Sequence, residues 1–248
     1  MEPIAVVTGA DRGLGLALTI GLLERGWRVV AGQYMPDWPQ LGELAASAGE
    51  RLMVVPLDVA DIDSARAAAA AVARQVDGVD MLINNAGMLT PTLNRGIREV
   101  QDEEGMHRQL DVNALGPLRV VEAFLPLLDR GAKKRLCFVS SEAGSINRCT
   151  RKAWYGYNMS KAALNMVCKI LHNRLRPEGY TLRVYHPGWM RTYMSGCKSE
   201  QADMEPEEAA VHALAYFMQD LHDNPARPEH SEEDRLVMRD WQGREWPW

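Results

Sequence analysis

The segment "IAVVTGADRGLG", residues 4–15, decides the fold, because a short apolar run leads directly into three closely spaced glycines. Residues 4–9 predict a buried strand, and a helix is expected near residues 14–26. Glycines at such a junction allow a tight turn and let the backbone approach a pyrophosphate, towards which the first amides of the helix point. The spacing has two more residues between the first two glycines than G-x-G-x-x-G, and a tight turn without a ligand is the alternative.

The rest of the chain alternates apolar runs with helical patterns. Further strands are predicted at 28–33, 51–58, 80–87, 135–144 and 182–188, helices near 61–76, 111–128 and after 154, and an edge strand at 235–240. Apolar strands separated by helices predict a parallel sheet that is covered on both faces. Right-handed crossovers then make residues 1–248 a single-domain α/β protein with a doubly wound parallel sheet, a Rossmann fold with helices on both faces.

Two predicted loops follow carboxyl ends of strands, where an open α/β sheet binds its ligands. They span residues 89–109 and 192–208, and the second is expected to be a substrate loop that ends where Pro206 starts a helix.

Composition narrows the class of protein. The net charge of -5 argues against a nucleic-acid partner. Cys137, Cys149, Cys168 and Cys197 lack metal-site spacing, so we expect free thiols in a reducing compartment and no metal site. The N-terminal apolar run is short and has no basic region before it, and no run is long enough for a membrane span. These features predict a cytoplasmic protein without a membrane partner.

The end of the second strand indicates which dinucleotide is preferred. A site for NAD usually has a carboxylate about 20 residues beyond the glycines. Here Gln33 and Tyr34 end the strand and the first acid is Asp37, whereas Arg12 lies inside the glycine-rich turn. A guanidinium there suits a 2′-phosphate, so we predict NADP(H) as the preferred cofactor, with NAD(H) as the alternative. A solvated loop charge is the other interpretation of Arg12.

A second motif, "YNMSK" at 157–161, places Tyr157 one helical turn before Lys161, on the same face. Tyrosine ionises well above neutral pH, so a reversible proton donor must be acidified. A lysine ammonium and an oxidised nicotinamide ring would together lower the pKa of the phenol. An unconnected surface pair is the alternative.

The motifs in combination resemble the short-chain dehydrogenase/reductase family. They are "TGADRGLG", "LDV" with Asp58 and Val59, "NNAG" at 84–87, "DVNALGP" with Asn113, "VSSEAG" at 139–144, "YNMSK" and "HPGWMRT" at 186–192. They occur in the family's order over nearly the whole chain. "PGWMRT" and the C-terminal "DWQGREWPW" are similar to small carbonyl reductases of the sniffer and C-factor type.

This resemblance implies a catalytic set of Asn113, Ser141, Tyr157 and Lys161. Ser141 lies three residues before Gly144, as the family's serine does, and its hydroxyl would bond the substrate oxygen. Ser140 would then face the packing. The backbone of Asn113 would anchor a water that relays protons through Lys161, and an exposed helix residue is the alternative.

The resemblance also implies a set of cofactor contacts, in which Asp58 receives the adenine amino group or caps a helix. Trp189 would border the nicotinamide or simply pack, and Thr192 would lie near the carboxamide. The full set is Gly9, Arg12, Gly13, Leu14, Gly15, Asp58, Val59, Asn85, Ala86, Gly87, Tyr157, Lys161, Pro187, Gly188, Trp189 and Thr192.

The function implied is an NADP(H)-dependent oxidoreductase that transfers a hydride between nicotinamide and a small carbonyl or alcohol substrate. Trp154 and Trp189 flank the expected site and favour an apolar or aromatic carbonyl. Two alternatives stay open: an NADP(H)-binding regulatory protein without turnover, and a dehydratase or epimerase. The family forms homodimers or homotetramers, here expected through the helices at 111–128 and 157–175.

Overall fold

Eight strands form one sheet in the computed structural model, which describes residues 2–194, 198, 200–221 and 234–248. The strands are β1 Ile4–Val7, β2 Arg28–Gln33, β3 Leu52–Pro56, β4 Met81–Asn84, β5 Arg135–Val139, β6 Thr181–His186, β7 Met238–Asp240 and β8 Glu245–Trp246. The α-helices are α1 Gly13–Glu24, α2 Pro39–Ala48, α3 Ile62–Ala73, α4 Glu103–Leu110, α5 Gly116–Leu128, α6 Tyr155–Leu175 and α7 Pro206–Phe217.

The strand order is β3-β2-β1-β4-β5-β6-β7-β8, and every pair from β3 to β7 is parallel. The order reverses between β1 and β4, which pair although they are not consecutive in the chain. In such a doubly wound sheet a crevice opens beyond the carboxyl ends of these two strands. The predicted fold class is confirmed.

The C-terminal edge of the sheet differs from the prediction. The segment predicted as an edge strand contains β7, but β8 pairs antiparallel outside it through Met238 and Trp246. Gly243 makes this return possible, since it takes a left-handed φ of 78° and its N–H donates to Asp240 O at 2.9 Å.

Apolar residues pack on both faces of the sheet, as predicted. On one face Phe124 of α5 and Leu164 of α6 lie in a buried cluster with the strands. On the other face Leu22 of α1 and Phe217 of α7 lie in a second cluster. The sheet is therefore held rigidly between two helical layers, and the loops beyond its carboxyl edge are free to build a site.

The segment before α5 also differs from the prediction. Residues 89–109 were expected to be a loop, yet they include most of α4, whose first turn is capped by the Asp102 carboxylate accepting from Gly105 N at 2.9 Å. The helix predicted at 111–128 is α-helical only from Gly116, since Asp111–Leu115 form a π-helical turn. A π turn interrupts the regular register and is frequent at functional sites.

The structure bears directly on two of the sequence predictions, the free cysteines and the absence of a membrane span. Cys137, Cys149 and Cys168 are free thiols, and Cys197 lies outside the described residues. Across the residues that the structure describes, no helix combines the length and the apolar character needed to cross a bilayer.

Candidate active site

The glycine-rich turn between β1 and α1 leaves no room for side chains. Gly9 takes a φ of 62°, which a residue with a Cβ adopts only with strain. A Cβ added to Gly15 would lie 2.0 Å from Gly9 O and 2.6 Å from Asn85 Nδ2. The backbone is folded tightly on itself at the N-terminus of α1, as a pyrophosphate cradle requires.

Hydrogen bonds join this turn to the end of β4. Thr8 Oγ1 accepts from the backbone N–H groups of Asn85 and Ala86, both at 3.0 Å. In return, Asn85 Nδ2 donates to Thr8 O at 2.9 Å and to Gly9 O at 3.2 Å. Sequence analysis missed Thr8, although a hydroxyl directly before the first glycine was a visible signal. The two strand ends at the switch point therefore form one unit.

A single cavity of about 740 Å³ runs from this turn to the start of α6. The predicted residues that line it are Gly9, Arg12, Gly13, Leu14, Gly15, Asp58, Val59, Asn85, Ala86, Gly87, Ser141, Tyr157, Lys161, Pro187, Gly188, Trp189 and Thr192. The remaining predicted residue, Asn113, does not belong to this lining and is fully buried. The structure thus brings the predicted residues together, and their individual roles stay predictions.

The sequence left a purely structural alternative open for two of the lining residues, Trp189 and Asp58. Trp189 is 54% exposed and faces the cavity, so it is not a packed core residue. Asp58 also faces the cavity, and its carboxylate accepts from Ala60 N at 2.9 Å. The cap of α3 is Asp61, whose side chain accepts from Asp63 N, so Asp58 does not cap this helix.

Ser141 and Tyr157 both line the far end of the cavity, where the Ser141 hydroxyl lowers the pKa of the phenol. Ser141 follows β5, and its hydroxyl also accepts from Ala143 N at 3.1 Å, which fixes its position. Ser140 points into the packing as predicted, where its hydroxyl donates to Asn165 Oδ1 at 2.6 Å. Neighbouring residues of an extended segment point to opposite sides, so only one of the two serines reaches Tyr157.

The pKa of Tyr157 differs from the sequence-based expectation. Burial raises the pKa of Tyr157 to about 12, against a smaller lowering by the Ser141 hydroxyl. Lys161 does not bond the phenol; its ammonium donates to Val139 O at 3.0 Å and lies 5.8 Å from the centre of the Tyr157 ring. Burial also lowers the pKa of Lys161 to about 8. Among the protein groups, burial outweighs every group that lowers the pKa of the phenol, and the predicted acidification by Lys161 together with an oxidised nicotinamide stays a prediction.

Asn113 lies in the π-helical turn and supports the site from behind. Its Nδ2 donates to Met88 O and to Ser160 Oγ, each at 3.0 Å, while its Oδ1 accepts from Met88 N at 2.8 Å. The side chain is thus occupied in joining the segment after β4 to α6. The alternative of an exposed helix residue is wrong, since Asn113 has no exposed surface.

Trp154 stands directly before α6 in a left-handed conformation, with a φ of 68° that is unusual for a bulky residue. Its N–H donates to Leu93 O at 2.8 Å, and its Nε1 donates to Asn94 Oδ1 at 2.7 Å. The Arg151 guanidinium lies 4.8 Å from the centre of its ring, and Tyr157 meets it edge-on at 6.1 Å. These contacts hold the indole beside the phenol.

Sequence analysis also missed an ion pair at the rim of the cavity. Arg151 donates through both terminal nitrogens to the two carboxylate oxygens of Glu142, at 2.7 and 2.6 Å. Glu142 raises the pKa of Tyr157 and Arg151 lowers it, so their charges largely cancel at the phenol. No local pattern signals this pair, since it depends on how residues 143–150 fold back.

Comparison with known families now agrees with the geometry. The family model described as short chain dehydrogenase matches residues 3–203, a range that includes the glycine-rich turn, Tyr157 and Lys161. The chain belongs to the short-chain dehydrogenase family. The family and the class of oxidoreductase that the sequence predicted are confirmed.

Relatives in the short-chain dehydrogenase family refine the comparison. C-signal of Myxococcus xanthus is 40% identical over 170 residues, which cover 68% of this chain and 93% of that protein. The carbonyl reductase Sniffer of D. melanogaster superposes with a TM-score of 0.84 at 25% identity, over the whole of both chains. The NADPH-bound carbonyl reductase from chicken fatty liver superposes with a TM-score of 0.83 at 29% identity, again over the whole of both chains. The predicted similarity to the sniffer and C-factor type is confirmed.

Proposed function

We propose that this short-chain dehydrogenase reduces carbonyl groups with NADPH, and that Tyr157 gives the proton. The observation that carries the proposal is the placement of the Ser141 and Tyr157 hydroxyls at the end of one cavity that begins at the glycine-rich turn. Two hydroxyls that converge on one point can both bond a carbonyl oxygen. The reverse oxidation of an alcohol uses the same groups.

The residues present fit a dinucleotide. The close approach of Gly15 to Gly9 O makes a cradle that a single Cβ would fill. The cavity of about 740 Å³ includes this cradle, Asp58 and Tyr157 in its lining, which supports a dinucleotide with adenosine beside Asp58 and nicotinamide beside Tyr157. Arg12 lines the adenosine end, which supports a preference for the 2′-phosphate of NADP(H).

The chemistry follows from the protonation states of the two ionisable groups. When bound, reduced nicotinamide supplies the hydride that attacks the carbonyl carbon. With its pKa raised to about 12, Tyr157 is protonated at neutral pH and can release its proton to the oxygen as negative charge develops there. Ser141 bonds the same oxygen and stabilises that charge. Lys161, with its pKa lowered to about 8, is suited to return a proton to the phenolate.

The substrate end of the cavity supports an apolar or aromatic carbonyl compound. Its walls carry Met88, Trp154, Trp189 and Met190, while the charges of Glu142 and Arg151 are paired with each other. Large apolar walls with a few convergent polar groups are typical of sites for small organic molecules.

The direct test follows NADPH absorbance over a panel of aldehydes, ketones and diketones, for the wild type and Tyr157→Phe. We expect turnover to fall by about 10²- to 10⁴-fold in the variant, the range for losing a general acid, while NADPH binding is retained. NADPH binding without turnover of any compound would favour the alternative of an NADP(H)-binding regulatory protein. Conversion of a compound without net loss of NADPH would favour a dehydratase or epimerase. Equal affinities for NADPH and NADH in a titration would contradict the cofactor preference.

A further inference from the structure

The glycine-rich turn is attached to the segment that follows β2 by two successive residues. Asp11 is buried, and its Oδ1 accepts from the backbone N–H groups of Tyr34 and Met35, both at 2.9 Å. Next to it, the guanidinium carbon of Arg12 lies 4.6 Å from the centre of the Trp38 ring. Segment 34–38 is therefore fixed against the turn at both ends, once by hydrogen bonds and once by a cation–π contact.

The charge of Arg12 is not used by the rest of the protein. Among the residues that the structure describes, the Arg12 guanidinium forms no hydrogen bond and no ion pair, and the Trp38 ring is its specific contact. Arg12 also lines the cavity. A cation held on a ring face and left without a counter-ion is available to an anion that enters beside it.

Trp38 stands behind this arginine rather than in the cavity. Arg12 and Tyr193 both belong to the cavity lining, whereas Trp38 does not and contacts these two side chains from outside. The rings of Trp38 and Tyr193 are 5.3 Å apart at an angle of 56°. Tyr193 belongs to the segment after β6, so the indole is fixed by a second element and forms a firm backing for the guanidinium.

We propose that Trp38 is a positioning residue for cofactor selection: it holds the Arg12 guanidinium towards the site of the 2′-phosphate, and so sets the preference for NADP(H) over NAD(H). This inference rests on the proposed function, because it assumes that the cavity takes a dinucleotide. An unsupported arginine loses side-chain freedom when it binds, and a stacked one has already lost much of it. Since the 2′-phosphate is the sole difference between the two dinucleotides, the advantage applies to NADP(H) alone.

Two variants distinguish the contribution of the aromatic face of Trp38 to binding from the contribution of its apolar volume. Trp38→Leu keeps an apolar side chain but removes the π face, whereas Trp38→Phe keeps a face for the guanidinium. We expect Trp38→Leu to weaken NADPH binding by roughly five- to twenty-fold, the range of a cation–π contact of this kind, and NADH binding by less than about two-fold. Trp38→Phe should retain most of the affinity for NADPH. Calorimetric titration of both dinucleotides measures this without any need for turnover.

A double-mutant cycle tests whether Trp38 acts through Arg12. In Arg12→Ala, a further Trp38→Leu change should leave the NADPH dissociation constant unaltered within about two-fold, because the cation that it positions is gone. Additive losses would overturn the inference, and so would an equal loss of NADPH and NADH affinity in Trp38→Leu. Thermal melting of each variant identifies any that fails to fold, and Trp38→Phe then carries the comparison.

The outcome also separates this inference from the proposed function. If the wild type binds NADPH tightly and Trp38→Leu binds it equally well, the role of Trp38 is refuted and the dinucleotide site stands. If the wild type binds neither dinucleotide, the proposed function itself fails and the inference fails with it.

Discussion

At the scale of the residue, burial changes the two ionisable groups of the site in opposite senses. It raises the pKa of Tyr157 to about 12 and lowers the pKa of Lys161 to about 8, because a low-dielectric environment disfavours the charged form of each. The neutral phenol is ready to act as an acid. The lysine, in contrast, is held charged at neutral pH in a place that disfavours its charge, and this should destabilise the fold.

Lys161→Met should therefore stabilise the protein at pH 7 while removing activity. Unfolded lysine titrates near 10.5 and the buried one near 8, so between these values the unfolded state binds more protons and stability rises with pH. The shift corresponds to roughly 3 kcal/mol, reduced by the lost hydrogen bond to Val139 O.

Urea unfolding of both proteins at several pH values measures this effect. The variant should be more stable by roughly 2 kcal/mol at pH 7, and the difference should shrink as pH rises from about 8 to about 10.5. A difference that stays constant over this range would contradict the burial argument. The far-ultraviolet spectra of the two proteins should match.

At the scale of the element, the junction of β1, α1 and β4 depends on close backbone contact. Thr8 and Asn85 exchange hydrogen bonds across the two strand ends, and Gly15 packs against Gly9 O. The turn is therefore shaped by the neighbouring strand as well as by its own glycines. Its geometry tolerates little change, since backbone atoms cannot move aside as a flexible side chain can.

Gly15→Ala should disrupt this junction, because the new Cβ would lie 2.0 Å from Gly9 O. We expect destabilisation of about 1–3 kcal/mol, as for other overpacked sites, together with loss of measurable NADPH binding. Gly42→Ala is the matched control, since nothing lies within 4 Å of its Cβ position in α2. It should raise stability by up to about 1 kcal/mol and leave binding unchanged.

Thermal melting and titration with NADPH compare the two alanine variants directly. If Gly15→Ala binds NADPH as the wild type does, the tight turn is not the site of the pyrophosphate. A similar loss of binding in both variants would point to a general effect of glycine replacement and would also contradict this account.

At the scale of the whole molecule, the helical layer that contains α5 and α6 exposes several apolar side chains. The outer surface of α6 carries Met159, Met166 and Ile170, which are 46, 60 and 59% exposed. Leu118 on α5 is also exposed, at 38%. Positions 159, 166 and 170 share one helical face, so the side chains form an apolar stripe. We propose that the chain is a single domain that assembles as a homodimer or homotetramer through this stripe.

The double variant Met166→Glu/Ile170→Glu should separate such an oligomer into monomers, because it places charges in a surface that would lose water on association. Val211→Glu on α7 is the matched control, since Val211 is 55% exposed on the opposite side of the sheet. Sedimentation equilibrium measures the mass of each protein. A wild-type mass equal to that of one chain, or a double variant that stays associated, would contradict the proposal.

The sequence by itself determined the order of β1 to β7, the glycine-rich turn, the placement of Tyr157 and Lys161 in one site, and the family. These follow from local patterns: apolar runs, glycines at a strand end, and Tyr157 one turn before Lys161. Errors arose where local signals are weak, as in the polar helix α4 and the two-residue strand β8.

The tertiary structure alone decided the direction of the pKa shifts, the pairing of Glu142 with Arg151 and the stacking of Arg12 on Trp38. Each depends on which segments meet at the carboxyl edge of the sheet. The burial of Tyr157 and the contact between Arg12 and Trp38, which are 26 positions apart in the sequence, are set by the packing of whole elements. A pattern read along the chain contains neither distances nor dielectric environment, and these quantities fix both the acidity of a phenol and the partner of a cation.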